Sequence, residues 1–228
     1  NKNSKNKKIY KKYFFILYII MKIALCFFGI TRSLKYNIKS IEKNIFNELK
    51  RENIDFEIYL HTYKHNNYVN KRTKENCDNV DNEEYNLLNP KYLQIDNQDE
   101  IKQSLDLEKY RAHDDPWKTN YNSVDNFILA QYSKLQINNM IQKNKKNFDF
   151  IIYLRPDVYY MDTFNIDFLE NVCDNAICCP DFHLYNDLND RFGITNMKTY
   201  LIYGNIFQFL YDYSKKKKLH SETIISSI

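Results

Sequence analysis

Two short apolar runs constrain this chain more than any other feature. Residues 22–29 read Lys-Ile-Ala-Leu-Cys-Phe-Phe-Gly, and residues 148–154 read Phe-Asp-Phe-Ile-Ile-Tyr-Leu. Each is too short for a buried helix and suits a strand covered on both faces. Such a sheet needs amphipathic helices between its strands, and the sequence supplies them. Ile38, Ile41, Ile45 and Leu49 recur at three- and four-residue spacing after the first run, which marks a helix over 34–51. Phe127, Ile128, Gln131, Leu135, Ile137 and Ile141 lie close to the same period before the second run, giving a helix over 124–141. Further strands are expected over 56–63, 92–95 and 176–179, with helices over 100–110 and 197–213. The polar stretches 64–90 and 111–121 are expected to be long loops, of a length that is usually functional. This alternation predicts a three-layer α/β domain: a Rossmann-like, mostly parallel sheet with helices on both faces.

Length and composition agree with one folded domain. The 228 residues are 43% apolar and 27% charged, enough to bury a real core. The domain is placed at 21–228, with 1–20 as a basic and apolar appendage. Joining the apolar runs 13–20 and 23–30 would set Lys22 in mid-bilayer at about 2.5–3.5 kcal/mol. A membrane anchor through residues 9–30 is therefore the less favoured alternative to a cytoplasmic protein. The net charge of +4 is scattered rather than gathered on a face, so no nucleic-acid partner is expected. Five Cys at irregular spacing give neither a disulfide framework nor a CxxC zinc pair. With no N-x-S/T sequon present, a reducing compartment fits best.

Ligands of open α/β sheets bind at the carboxyl ends of the strands, which selects the candidate residues. The first strand ends at Gly29-Ile30-Thr31-Arg32. Glycine permits a tight turn and close backbone approach to a ligand, and Arg32 is placed to fork onto a phosphate; Thr31 is grouped with them, or else Thr31 or Ser33 serves as a helix cap. The 148–154 strand runs into Arg155-Pro156-Asp157. Proline ends the strand and presents Asp157 beyond it, where a carboxylate suits Mg²⁺ or Mn²⁺ bridging a diphosphate. Two polar segments follow. Residues 186–193 carry Asp190, Arg191 and Gly193, and His220-Ser221-Glu222 is read as a strand with His220 and Glu222 on one face. Trp117, the single tryptophan, is either a stacking platform for a ligand or a core anchor.

Residues 23–32, 151–158, 189–194 and 219–222, taken in order, resemble glycosyltransferase-like proteins of large DNA viruses and bacterial polysaccharide loci. Such proteins resemble the GT-A superfamily. The resemblance implies a nucleotide-sugar donor, a glycan or other hydroxyl acceptor and, for a viral protein, the host cytoplasm. It also implies that Arg155-Pro156-Asp157 stands where an Asp-x-Asp motif would stand. Asp157 matches the second Asp and becomes the expected Mn²⁺ or Mg²⁺ ligand. Arg155 replaces the first Asp, which leaves one carboxylate: metal binding is then either present through Asp157 or weak to absent, with Arg155 neutralising the diphosphate directly. Gly29, Thr31, Arg32, Arg155 and Asp157 are then the donor-binding set. Asp190 is the first candidate for the acceptor base and Glu222 the second, with Arg191 and His220 beside them. The rival expectations are a GT-A-like shell that binds nucleotide or glycan without turnover and a membrane-tethered interaction protein resting on residues 9–30.

Overall fold

A computed structural model describes residues 21–65, 67–70, 75–78, 80–181 and 188–227. The appendage 1–20 and the start of the polar segment 186–193, residues 186–187, lie outside them. Five strands form the main sheet: β1 (Lys22–Phe28), β2 (Asp55–Lys64), β5 (Tyr92–Asn97), β6 (Phe150–Leu154) and β7 (Phe192–Thr195). Their order is β5-β2-β1-β6-β7. The first four run parallel, and β7 pairs antiparallel to β6. The coarse expectation of a Rossmann-like, mostly parallel sheet is met.

Period-two alternation splits each central strand between two cores. Ala24, Cys26 and Phe28 join Ile151 and Tyr153 on one face. Ile23, Leu25 and Phe27 join Ile152 and Leu154 on the other. Because both sets are apolar, the sheet is buried on both sides. The first face carries the long helix α3 (Asn122–Asn144) with the short helices α4 (Tyr200–Gly204), α5 (Phe207–Ser214) and α6 (Ser221–Ile225). The second carries α1 (34–51), which is α-helical over Leu34–Ile41, π-helical over Glu42–Phe46 and α-helical again over Asn47–Arg51. A further helix, α2 (Gln98–Leu105), follows β5, its Asn97 side chain capping the Asp99 and Glu100 N–H groups. No helix among the described residues is long and apolar enough to cross a membrane, and the second half of the 9–30 stretch contains β1.

Four expectations are corrected. Within 64–90 the chain forms an antiparallel hairpin, β3 (Asn67–Asn70) with β4 (Glu75–Asp78), and a 3₁₀ turn over Glu84–Leu88. The 176–179 segment is no strand; it contributes one bridge, Cys178 to Ile194. Gly193 belongs to β7 rather than to a ligand-binding loop. A Cβ there would lie 2.6 Å from the Tyr203 ring, so glycine makes room for a core aromatic. His220 and Glu222 do not share a strand face either: His220 precedes α6, and Glu222 lies in its first turn.

Candidate functional site

The chain builds β1, β2 and β5 outward in one direction, then returns to place β6 on the other side of β1. Outside the carboxyl ends of β1 and β6 the connections diverge, which opens a crevice in sheets of this kind. A cleft with about 890 Å³ of empty space, open to solvent, lies there. Each parallel strand contributes to its wall: Phe28 at the end of β1 and Gly29 after it, Tyr63 from β2, Gln98 after β5, and Arg155 and Asp157 after β6.

Gly29 adopts φ +97°, and a Cβ there would meet nothing within 4 Å. The residue is required by backbone conformation, not by crowding. Its N–H donates to Ser133 Oγ at 2.9 Å. Ser133 Oγ lies 2.8 Å from His61 Nδ1, and His61 Nε2 lies 3.0 Å from Asp96 Oδ2. Burial lowers the His61 pKa, opposed in part by Asp96; Nε2–H donates to the carboxylate, and the Ser133 hydroxyl lies between His61 Nδ1 and the His61 carbonyl, to which it donates at 3.0 Å. The sequence reading did not find this Ser-His-Asp chain. It resembles nucleophile activation, but Ser133 and His61 are completely buried, and Ser133 already accepts from Gly29. Its effect is to fix the turn at the head of the cleft.

Opposite that turn, Asp157 holds two guanidinium groups. Arg155 binds it bidentately, Nε to Oδ1 at 2.8 Å and Nη2 to Oδ2 at 2.6 Å, and Arg32 Nη1 reaches the same Oδ2 at 3.4 Å. Burial pushes the Asp157 carboxyl up, but Arg155 and Arg32 more than offset it and hold it below its ordinary value. Asp157 in turn raises the Arg155 pKa. Arg32 also lies over the Tyr68 ring of the β3–β4 hairpin at 3.9 Å, and Tyr68 lines the cleft. The backbone after Arg155 is pinned to α1. Asn44 Nδ2 donates to the Tyr160 carbonyl at 2.6 Å, and the Asn44 carbonyl accepts from Phe164 N–H at 2.8 Å. Asn44 sits in the π turn, where the changed hydrogen-bond spacing releases backbone groups from the α-helical ladder.

The far wall comes from segments with little regular structure. Asp190 lines the cleft. Trp117 also lines it and stacks on His220 with centroids 5.4 Å apart. Its loop is organised by Asp115, which accepts from the N–H groups of Trp117, Thr119 and Tyr121. Ser221 lines the cleft as well, whereas Glu222 lies behind it, accepting from Ser221 Oγ at 2.5 Å and standing 3.3 Å from His220 Nδ1.

The structure therefore brings Gly29, Arg32, Arg155, Asp157 and Asp190 to one cleft, with Trp117 at its wall. It does not bring the rest of the expected set. Thr31 is buried and its carbonyl closes the turn into α1 at Leu34 N–H. Ser33, not Thr31, takes the N-cap position of that helix, without a side-chain cap bond. Arg191 is exposed and outside the lining, and His220 and Glu222 reach it only through Trp117 and Ser221.

No protein-family model matches the chain, and no curated protein matches it in sequence. Function must be argued from the cleft. A divalent cation does not fit the residues assembled there. Both Asp157 oxygens accept from guanidinium N–H groups, and no group of three or more His, Cys, Asp or Glu side chains among the described residues is arranged to hold a metal. What the arrangement suits is an oxygen-rich anion facing two oriented, planar guanidinium groups, since these match phosphate geometry.

Proposed function

We propose that the cleft binds a nucleoside-diphospho-sugar and transfers its sugar to a hydroxyl of a glycan or similar acceptor, as a GT-A-type glycosyltransferase domain. The proposal rests on one observation above the others: Arg32 and Arg155 meet across the switch point of the sheet, with Asp190 lining the same cleft. In this reaction the anomeric C–O bond to the diphosphate breaks and a new bond forms to the acceptor oxygen. The departing diphosphate gains charge, and the acceptor must lose its proton.

Each requirement has a group. Arg32 and Arg155 stabilise the charge that develops on the leaving diphosphate, preorganised because Asp157 already fixes their forks. Asp190 takes the acceptor proton as general base. Trp117 offers an aromatic face to the sugar, backed by His220. Gly29 lets the donor approach the backbone closely. Glu222 ranks below Asp190 because Ser221 stands between it and the cleft.

The experiment is a screen of nucleotide sugars with mixed glycan acceptors, read as release of free nucleoside diphosphate. Wild-type protein should release it from at least one donor. Asp190→Asn should lose roughly a hundredfold or more of turnover, with donor affinity nearly intact. Donor binding without release from any nucleotide sugar would establish the non-catalytic shell instead.

A further inference from the structure

Charge in the cleft poses a problem that one buried residue resolves. The charged side chains lining it are Arg32, Arg155, Asp157 and Asp190. Two cations and two carboxylates sum to zero, whereas a diphosphate brings at least two negative charges. Lys134 lies just behind this lining. It is completely buried, and among the described residues its Nζ has no hydrogen-bond partner. The amine lies 3.8 Å from the Tyr203 ring centroid and 5.5 Å from that of Phe28, and Phe28 is part of the cleft wall.

Helix geometry aims the side chain at the cleft. The first two turns of α3 line it through Ser123, Asn126, Phe127, Leu129 and Ala130. Lys134 is four residues beyond Ala130 and so shares its face, and helical side chains lean toward the N-terminus. The groups facing the amine come from three elements. β1 offers the Phe28 ring, and α4 offers Tyr203, whose hydroxyl burial keeps neutral. The segment before β7 offers Asp190 and Cys179, and burial pushes the Cys179 thiol up to about 11. Asp190 is therefore the one anionic neighbour among them. Burial draws the Lys134 amine down to about 7, opposed by Asp190 and then Cys179. An apolar side chain of equal length would fill this space without the cost of burying an unpaired amine.

We propose that Lys134 is a proton-accepting part of the cleft, a buried amine that becomes an ammonium when a polyanion binds between Arg32 and Arg155. The inference rests on the anion-binding side of the function proposed above, and it adds proton uptake as part of donor binding. One proton moves from solvent to the lone pair of Nζ, so the occupied cleft gains the positive charge that its lining lacks.

The test is titration calorimetry with inorganic pyrophosphate and, separately, with UDP, GDP and CDP. Each is run in buffers of differing ionisation enthalpy at pH 6 and pH 8, for wild type and Lys134→Met. The variant subtracts proton changes of the ligand itself. At pH 8 wild type should take up close to one proton more than K134M per ligand bound, and at pH 6 close to none more. Between these values wild-type affinity should fall, relative to K134M, by up to about tenfold per pH unit above the free amine's pKa. Equal proton uptake by the two proteins while the anion binds would overturn the role of Lys134 and leave the nucleotide site standing. Pyrophosphate binding with proton uptake, but no nucleotide binding, would uphold Lys134 and remove the sugar-nucleotide function. No binding of any of these anions would overturn both.

Discussion

Replacing Lys134 by Met removes a buried charge while nearly conserving volume. An unfolded lysine titrates near about 10.4, whereas the folded amine titrates at about 7. Between these values the unfolded chain binds more protons, so wild-type stability rises with pH through this window. Below about 7 both states carry the proton and the penalty is constant. At about 1.36 kcal/mol per pKa unit, the penalty at pH 7 is on the order of 4 kcal/mol. Repacking around a Met of similar volume costs less than about 1.5 kcal/mol, so desolvation decides the sign. K134M should be the more stable protein at pH 7. At about 2–4 °C per kcal/mol for a domain of this size, its melting temperature should rise by about 10 °C. Urea denaturation of both proteins from pH 6 to 10 measures the gap, which should close as pH rises. A gap independent of pH, or a K134M less stable than wild type at pH 7, would show that the amine does not reside in this environment.

Two further outcomes are expected. Asp157→Asn should destabilise the fold by roughly 2–3 kcal/mol at pH 7, at or below the lower end for breaking a buried pair, because the Arg155 side chain is 34% exposed. Since the folded carboxyl is held below its ordinary value, its contribution is fully present above an unfolded pKa of about 3.9 and is lost as pH falls through the folded value; denaturation at pH 7 and pH 3 should show the gap and then its narrowing. Trp117 fluorescence should change on saturation with donor or acceptor, since this residue lines the cleft; an unmoved spectrum would assign Trp117 to packing alone.

The fold was legible wherever one physical constraint dominated. The runs ending at Phe28 and Leu154 could only be strands buried on both faces, and the period of α1 located its apolar side. β7 was not legible because it has four residues, one of them a glycine that serves the Tyr203 ring. That contact is tertiary and leaves no trace in local pattern. The hairpin within 64–90 was hidden because its two strands are four residues each and mostly polar; among its described residues Tyr68 lines the cleft. Most of the site was legible through the rule that strand ends carry ligands. Lys134 left a signal that was passed over. It falls on the period of Phe127, Gln131 and Ile141, all buried, so a charged residue occupied a core position of α3. Leu135 was taken for that face instead and is only partly buried. The Ser133–His61–Asp96 chain joins three elements, and no sequence spacing encodes it.

The most direct measurement is equilibrium binding of UDP, GDP and CDP to wild type and Arg155→Gln, in excess chelator and again with Mn²⁺. At least one nucleoside diphosphate should bind wild type in chelator with little gain from Mn²⁺, and Arg155→Gln should weaken it at least about tenfold, the order expected for one charge-assisted hydrogen-bonding fork. Binding that requires Mn²⁺, or that survives Arg155→Gln unchanged, would contradict direct capture of the diphosphate by the guanidinium pair.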